Sequence, residues 1–192
     1  TVPLSPVRVS PDGRTMLFMR EKELWKCDAA TGNRAERVLE NGSPAAWSPD
    51  GKTFFAVVSK RESDYQAIEN WKVSANGGNH SVLALPDADV VEDWSPDGQW
   101  LAVTSRNDGQ VYVAKPDGSG RRRVTDTDTN SSRNDHPRFS PDSRRVVYHR
   151  QIFPGDFPGD EGGRGTQFSL RTINLDGTGD REILGERKVD ST

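Results

Sequence analysis

Short apolar runs separated by clusters of turn-forming residues dominate the chain. The clearest runs are Thr15–Arg20 (TMLFMR), Thr53–Ser59 (TFFAVVS) and Arg145–Arg150 (RVVYHR), which mix apolar and polar residues over six or seven positions. Apolar segments this short, bounded by Gly, Pro, Asp and Ser, are typical of strands rather than helices. The pattern therefore predicts an all-β protein made of many short antiparallel strands.

One turn is repeated four times in front of these runs. Ser-Pro-Asp-Gly begins at Ser10, Ser48 and Ser95, and Ser-Pro-Asp-Ser begins at Ser140. Pro presets φ at the second position, Asp is well tolerated at the third, and Gly at the fourth often adopts a positive φ. We expect four hairpin turns, of which the last, with Ser143 in place of glycine, is strained or differently shaped.

Each turn belongs to a larger repeated unit of about 40–50 residues, a period typical of propeller blades. In every unit the turn follows a short inner strand, and a second, a third and a more polar fourth strand come after it. Arginines in the fourth strand suit an exposed sheet edge. We therefore predict a β-propeller with four blades of four antiparallel strands, over residues 1–42, 43–88, 89–130 and 131–192 of a single unit spanning 1–192.

The repeat has a recognisable form. The segment WSPDGQWLAVTS, followed by QVYVAKPDGSGRRRVT (Trp94–Thr125), resembles the PD40, or TolB-like, β-propeller repeat, which is WD40-like. The resemblance covers essentially the whole chain and is specific for fold but not for function. Proteins with this repeat include TolB-type periplasmic proteins, gating propellers of prolyl-oligopeptidase-like peptidases and some polysaccharide lyases. The resemblance thus implies an exported bacterial protein, periplasmic or secreted.

Four blades raise the question of how the end sheets are covered, since each end presents an apolar face. The alternatives are a closed four-bladed ring, two chains forming one eight-bladed ring, or part of a longer propeller. We expect self-association through the end blades.

Composition narrows the range of functions. The net charge of −3 does not favour nucleic acid, whose phosphates require a basic face. No apolar run reaches the ~20 residues of a membrane span, so we expect no membrane insertion. Cys27 is the single cysteine, which excludes an internal disulfide and a cysteine zinc cluster. Neither a Gly-x-Ser-x-Gly elbow nor a phosphate-binding glycine loop is present, so we favour a protein that is not an enzyme.

Aromatic residues precede three of the four turns, at Trp47, Trp94 and Phe139, with Val9 in the first unit. An aromatic platform for sugars is one interpretation. Repetition in register favours the other, in which these side chains pack between neighbouring blades, because packing recurs in each repeat whereas a site does not.

One position earlier in each unit lie Arg8, Ala46, Asp93 and Arg138, of which three are charged. Since side chains alternate along a strand, they should point toward the central channel. Asp135 and His136 precede the last inner strand, at the channel mouth. We predict charge pairing and a binding surface formed by Arg8, Asp93, Asp135, His136 and Arg138.

A metal site is a weaker hypothesis. In polysaccharide lyases with this repeat, histidines near the channel mouth hold a metal, and His136 is similar to such a position. The other ligands find no match in this sequence, so a hydrogen-bonded structural histidine is the favoured interpretation.

The insertion Gln151–Thr166 (QIFPGDFPGDEGGRGT) is the least blade-like segment, and long insertions tend to map to a functional face. Phe153 and Phe157 are predicted anchors for a partner. Its carboxylates are Asp156, Asp160 and Glu161. These carboxylates suit calcium chemically, but the EF-hand order is absent, so we predict no cofactor and keep calcium as the alternative.

The function predicted from these features is a non-catalytic scaffold that binds a protein or peptide at the loop face and channel mouth. Two alternatives stay open. One is a substrate-binding or gating propeller of a polysaccharide lyase or peptidase, and the other is a carbohydrate-binding propeller.

Overall fold

The computed structural model describes residues 7–60, 67–127, 132–152 and 167–185. Within these ranges all regular structure is β, and sixteen strands form four antiparallel sheets of four strands each. The predicted fold class, an all-β chain of propeller-type blades, is confirmed. The predicted residues of the insertion lie outside the described residues. They are Phe153, Asp156, Phe157, Asp160 and Glu161.

Each sheet is a meander whose strands follow chain order. The first contains β1 (Arg8–Val9), β2 (Thr15–Arg20), β3 (Glu23–Asp28) and β4 (Glu36–Leu39). The second contains β5 (Gly42–Trp47), β6 (Thr53–Ser59), β7 (Ile68–Ser74) and β8 (His80–Val82). The third contains β9 (Asp89–Trp94), β10 (Leu101–Ser105), β11 (Gln110–Ala114) and β12 (Arg122–Arg123). The fourth contains β13 (Ser132–Phe139), β14 (Arg145–Ile152), β15 (Gln167–Asn174) and β16 (Arg181–Gly185).

The four repeated turns share one hydrogen-bond pattern. In the second turn, Ser48 donates its hydroxyl to Asp50 at 2.7 Å and accepts the backbone N–H of Thr53 at 3.0 Å. The Gly51 N–H closes the turn on the Ser48 carbonyl at 2.9 Å. Because the Ser and Asp side chains of each motif bond to each other and to the start of the next strand, the repeated motif forms a blade corner.

The fourth turn has Ser143 where the other three have glycine. Its N–H donates to the Ser140 carbonyl at 2.9 Å, as in the glycine turns, so the turn has the same shape. Ser143 has a φ of 59°, however, close to the 73°, 68° and 75° of Gly13, Gly51 and Gly98. The turn is therefore strained rather than differently shaped, because an L-residue rarely adopts this region.

Neighbouring sheets pack through the aromatic residues that precede the turns, as predicted. Trp47 lies in a buried cluster with Leu17 of the first sheet. The ring of Trp94 in the third sheet lies 5.1 Å from that of Phe55 in the second. Phe139 of the fourth sheet packs against a cluster that contains Ala102 of the third. Each cluster joins two consecutive sheets. Among the described residues no cluster joins the first sheet to the fourth, so the array of blades is open.

Candidate functional site at the channel mouth

Inner strands of three sheets bring the predicted charged residues together. We call this group the channel cluster. Its members are Arg8 on β1, Glu92 and Asp93 on β9, and Asp135, His136 and Arg138 on β13. The charge of Arg138 acts on Arg8: burial lowers the pKa of Arg8 and the second guanidinium lowers it further, while Glu92 and Asp93 oppose the shift. Residues far apart in sequence thus share one electrostatic environment.

Glu92 holds two cationic side chains of the cluster. Its carboxylate lies 3.7 Å from Arg138 Nη1 and 3.7 Å from His136 Nδ1, through different oxygens. Arg138 also donates from Nη1 to the backbone oxygen of Glu92. The side chain of Glu92 is only 14% exposed. Glu92 therefore joins β9 to β13 and sets the charge at the channel mouth.

Asp93 has a different partner from the arginines predicted for it. Its Oδ2 accepts the backbone N–H of Phe139 at 2.8 Å, which ties β9 to β13 by a second contact. Burial raises the pKa of Asp93, although this hydrogen bond and the charges of Arg138 and Arg8 act in the opposite direction. The carboxylate is thus incompletely compensated, since its desolvation outweighs its favourable contacts.

His136 occupies an unusual backbone position. Its φ is 51°, and it lies where the pairing of β13 with β14 shifts between Asp135 and Arg138. The side chain is 63% exposed, and its ring meets that of His149 edge-on at 6.0 Å between centroids. Strained residues and bulges concentrate at functional sites, where they aim a side chain that regular pairing would bury.

Two pKa shifts follow from this geometry. The Glu92 carboxylate raises the pKa of His136, acting as an ion pair because 3.7 Å is beyond hydrogen-bond length. Burial raises the pKa of Asp135, and the charge of His136 opposes that shift. The cluster therefore combines carboxylates and cations whose charges shift one another's pKa values.

The predicted site residues divide into two sets. The structure brings Arg8, Asp93, Asp135, His136 and Arg138 together, whereas the insertion residues lie outside its description. Glu92 is not among the predicted site residues and proves central. It is the extra residue where the register of β9 shifts between Val91 and Asp93, which breaks the strand alternation on which the prediction relied.

Other classes of site find no support in the described ranges. There, no group of three or more His, Cys, Asp or Glu side chains is arranged to hold a metal ion. The same ranges contain no helix that is long and apolar enough to cross a membrane. His80, the third histidine, is exposed and stacks on Trp71 with 4.0 Å between ring centroids.

Comparison with known sequences finds relatives that match this chain over part of their length. No family model matches the chain. The uncharacterized protein Atu1656 of Agrobacterium fabrum is 28% identical over 151 residues, which make up 73% of this chain and 48% of that protein. The Tol-Pal system protein TolB of Alcanivorax borkumensis is 34% identical over 83 residues, or 42% of this chain and 19% of TolB. The chain thus spans less than half the length of these relatives.

Comparison with solved structures decides the architecture. A putative TolB from Agrobacterium tumefaciens matches with a TM-score of 0.59 at 19% identity, over 94% of this chain and 80% of that one. The chain has the fold of a TolB-like β-propeller. An oligogalacturonate lyase in complex with manganese matches at a TM-score of 0.62 and 13% identity, over 94% of this chain and 52% of the lyase.

The tricorn protease gives a TM-score of 0.59 at 10% identity, over 97% of this chain and 18% of that protein. Such different proteins share the fold alone, because the propeller serves unrelated functions. The likeness to TolB-like propellers is therefore supported, and membership of the PD40 repeat family stays a prediction.

Proposed function

We propose that this chain is a non-catalytic β-propeller scaffold that binds a protein or peptide partner at the channel cluster and the surrounding loop face. The observation that carries the proposal is His136, which projects an exposed ring from a bulge at a positive φ. Such strain persists only where the surrounding structure enforces it, and the ion pair of His136 with Glu92 contributes to that support.

The charges of the cluster suit a polar partner. Arg8 and Arg138 offer guanidinium donors for a carboxylate, and Asp135 and Glu92 offer acceptors for amide or ammonium groups. The similarity to the Tol-Pal system protein TolB supports a partner of the protein class, because that relative is part of the Tol-Pal system.

A capture experiment tests the proposal. The unmodified chain and two variants are immobilised, and the proteins that each retains from a bacterial extract are compared. Arg138→Gln removes a charge from the cluster, and Lys52→Gln removes one from an exposed lysine of the second sheet, which contributes no residue to the cluster. We expect Lys52→Gln to capture the same partner as the unmodified chain and Arg138→Gln to capture at least tenfold less. Equal capture by all three would contradict the proposal.

Three competing functions have separate tests. The matched lyase structure contains manganese, so manganese binding that is lost in His136→Ala would favour the substrate-binding propeller of a lyase. Binding on a glycan array without capture of a protein would favour a carbohydrate-binding propeller. The gating propeller of a peptidase, suggested by the likeness to the tricorn protease, predicts capture of unfolded peptides regardless of the channel cluster.

Self-association through the end sheets is a second proposal, and equivalent positions in the repeats support it. Val9 occupies the position of Trp47, yet Val9 is 51% exposed whereas Trp47 is 9% exposed. Met16 is only partly buried, while Phe54 at the same position of the next unit is fully buried. The first sheet thus lacks the neighbour that every other sheet has on this side.

The fourth sheet, at the other end of the array, also leaves apolar residues exposed. Val147 of β14 is only partly buried, whereas its equivalents Phe55 and Ala102 are fully buried between sheets. Phe168 and Leu184 on the outer strands are 52% and 65% exposed. These two faces are those that meet at each internal boundary, so the first sheet of one copy fits the fourth sheet of another.

Light scattering behind a sizing column tests this proposal. We expect a mass twice the 21.3 kDa of one chain, as for two copies closing an eight-bladed ring. Val9→Lys, at an exposed position, should give 21.3 kDa with an unchanged circular dichroism spectrum. A monomeric unmodified chain would overturn it.

A further inference from the structure

A cavity of about 590 Å³ opens between the second and third sheets, on the side of the outer strands. From the second sheet it is lined by Lys72 of β7 and by residues 81–83, at the end of β8. From the third sheet it is lined by Gln99 and by residues 115–117, which lie in or beside the turns. These lining residues are distinct from those of the channel cluster, so the cavity is a separate surface.

The other two boundaries between sheets are closed at the equivalent place by a cation. Lys26 of the first sheet donates from Nζ to the Ala75 carbonyl of the second at 3.0 Å. Arg122 of the third sheet donates from Nη1 to the Leu175 carbonyl of the fourth. Pro116 holds the same position, two residues before the turn glycine, but among the described residues no donor reaches its carbonyl. The middle boundary therefore stays open, and Pro116 lines the opening.

Lys72 is a cation without its anion. It pairs with the second strand of its sheet at the position where Lys26 pairs in the first sheet. On the outer strand Lys26 faces Glu36 and pairs with it at 2.8 Å, whereas Lys72 faces Ser81. The Lys72 ammonium lies 5.5 Å from the centre of the Trp94 ring and has no carboxylate partner in the described part of the chain.

Lys115, the other cation of the lining, is already engaged. Its Nζ lies 3.7 Å from the centre of the Trp100 ring. Hydrogen bonds from Ser119 lower the pKa of Asp117, an exposed acid of the same lining, and the charge of Lys115 adds to that shift. A carboxylate that enters the cavity therefore meets Lys72 as its ion-pair partner.

The outer strand beside Lys72 has an open edge. β8 ends its sheet, and the Leu83 N–H and the Asn79 carbonyl bond to β7 at 2.8 and 3.0 Å. Because alternate residues of a strand face the same neighbour, the backbone groups of His80 and Val82 point away from β7. The outer strands β4, β12 and β16 carry charged residues, which discourage pairing, whereas β8 is His-Ser-Val. Its edge is the least protected of the four.

We infer that β8 accepts an extended segment of a partner protein as a fifth, antiparallel strand, with a glutamate opposite Ser81. Backbone hydrogen bonds to His80 and Val82 hold the segment, as in other cases of strand addition. Side chains that face each other across an antiparallel pair lie on one face of the sheet, so the glutamate enters the cavity beside Lys72. Its carboxylate supplies the anion that Glu36 provides in the first sheet.

The neighbours of this glutamate are expected to be apolar. They point to the other face of the sheet, where Val82 is 54% exposed and the His80 ring stacks on Trp71 with 4.0 Å between centroids. The segment thus alternates apolar and acidic residues. Its binding surface lies outside the channel cluster, so the inference goes beyond the proposed function.

Nitrogen-15 NMR on the full chain tests the inference with acetyl-Ser-Val-Glu-Val-Ser-amide as the probe. We expect the peptide to shift the amide signals of residues 80–82 and to slow hydrogen exchange at His80 and Val82. The same peptide with glutamine in place of glutamate should bind about threefold to fivefold more weakly, as expected for an exposed ion pair. N-methylation of both valines removes the paired N–H groups and should weaken binding about tenfold or more.

Variants of the chain test the position of the carboxylate. Ser81→Glu places an anion opposite Lys72, as Glu36 lies opposite Lys26, so it should abolish the preference for the glutamate peptide. Ser81→Gln, matched in size but uncharged, should keep the preference. Lys72→Gln should bind the two peptides equally, whereas Lys52→Gln, at an exposed lysine of the same sheet, should behave as the unmodified chain.

Equal binding of the two peptides to the unmodified chain, a preference that persists in Lys72→Gln, or unaltered exchange at His80 and Val82 would overturn the inference. Exchange at these two residues that slows with rising chain concentration alone would assign the edge to a second copy and would overturn it as well. Partner capture that depends on Arg138 is a separate measurement, so the scaffold role of the channel cluster stands or fails independently.

Discussion

Ser143 allows backbone strain to be separated from a hydrogen bond that crosses between blades. Its φ of 59° is one that glycine adopts freely, and the left-handed region costs an L-residue about 1–2 kcal/mol. Its hydroxyl accepts the backbone N–H of Asp97 at 3.1 Å, which joins the turns of the third and fourth sheets. A hydrogen bond of this kind contributes about 0.5–1.5 kcal/mol.

Two substitutions divide these contributions. Ser143→Ala keeps the strain and loses the hydrogen bond, so the free energy of unfolding should fall by about 1 kcal/mol. Ser143→Gly loses the same bond but relieves the strain. Glycine also adds entropy to the unfolded chain, which lowers the stability of this variant by about 0.4–1 kcal/mol. The glycine variant should therefore be more stable than the alanine variant by about 0.5–1 kcal/mol.

Urea unfolding followed by circular dichroism measures these differences, and Gly98→Ala is the matched control. Gly98 has a φ of 75°, and a Cβ there would meet no atom closer than Pro49 Cγ at 4.0 Å. The control thus reports conformational cost alone and should destabilise by about 1 kcal/mol. An alanine variant of Ser143 that equals or exceeds the glycine variant in stability would refute the strained turn.

Three further predictions concern the channel cluster and the boundaries between blades. Glu92 raises the pKa of His136, so this pair stabilises the fold fully below the ordinary histidine pKa of about 6.5 and the contribution is lost as pH rises through the raised value. The stability advantage of the unmodified chain over His136→Gln should accordingly shrink between about pH 6 and pH 8 in urea titrations, and an advantage independent of pH would exclude the pairing. Asp93→Asn keeps an acceptor for the Phe139 N–H and removes a desolvated charge, so thermal unfolding at pH 7 should show equal or greater stability, and a marked loss would show that Asp93 is compensated after all. Trp94→Ala should cost about 3–5 kcal/mol because the side chain packs between the second and third sheets, whereas Val9→Ala, at the exposed equivalent position, should cost less than about 0.5 kcal/mol in a chain kept monomeric, and comparable losses would contradict the packing assigned to the two positions.

The sequence pattern predicted the second strands of the blades well. The bounds of β2 and β6 coincide with the apolar runs Thr15–Arg20 and Thr53–Ser59. The inner strands β5, β9 and β13 begin earlier than their apolar residues indicate. Their first residues are polar or glycine, and each strand contains a shift in register that interrupts alternation.

The same irregularities limited the prediction of the site. Alternation correctly directed Asp93 and Arg138 to one region, but the positive φ of His136 and the central role of Glu92 arise from bulges that leave no mark in the pattern.

Photocrosslinking from the channel mouth tests the proposed scaffold role most directly. p-Benzoylphenylalanine would replace His136 in one preparation and Asp50, which is exposed in the repeated turn of the second sheet, in another. We expect a discrete crosslinked protein from position 136, and excess unmodified chain should abolish this product by competing for the partner. We expect no such product from position 50. Absence of the product at position 136, or the same product from both positions, would contradict partner binding at the channel cluster.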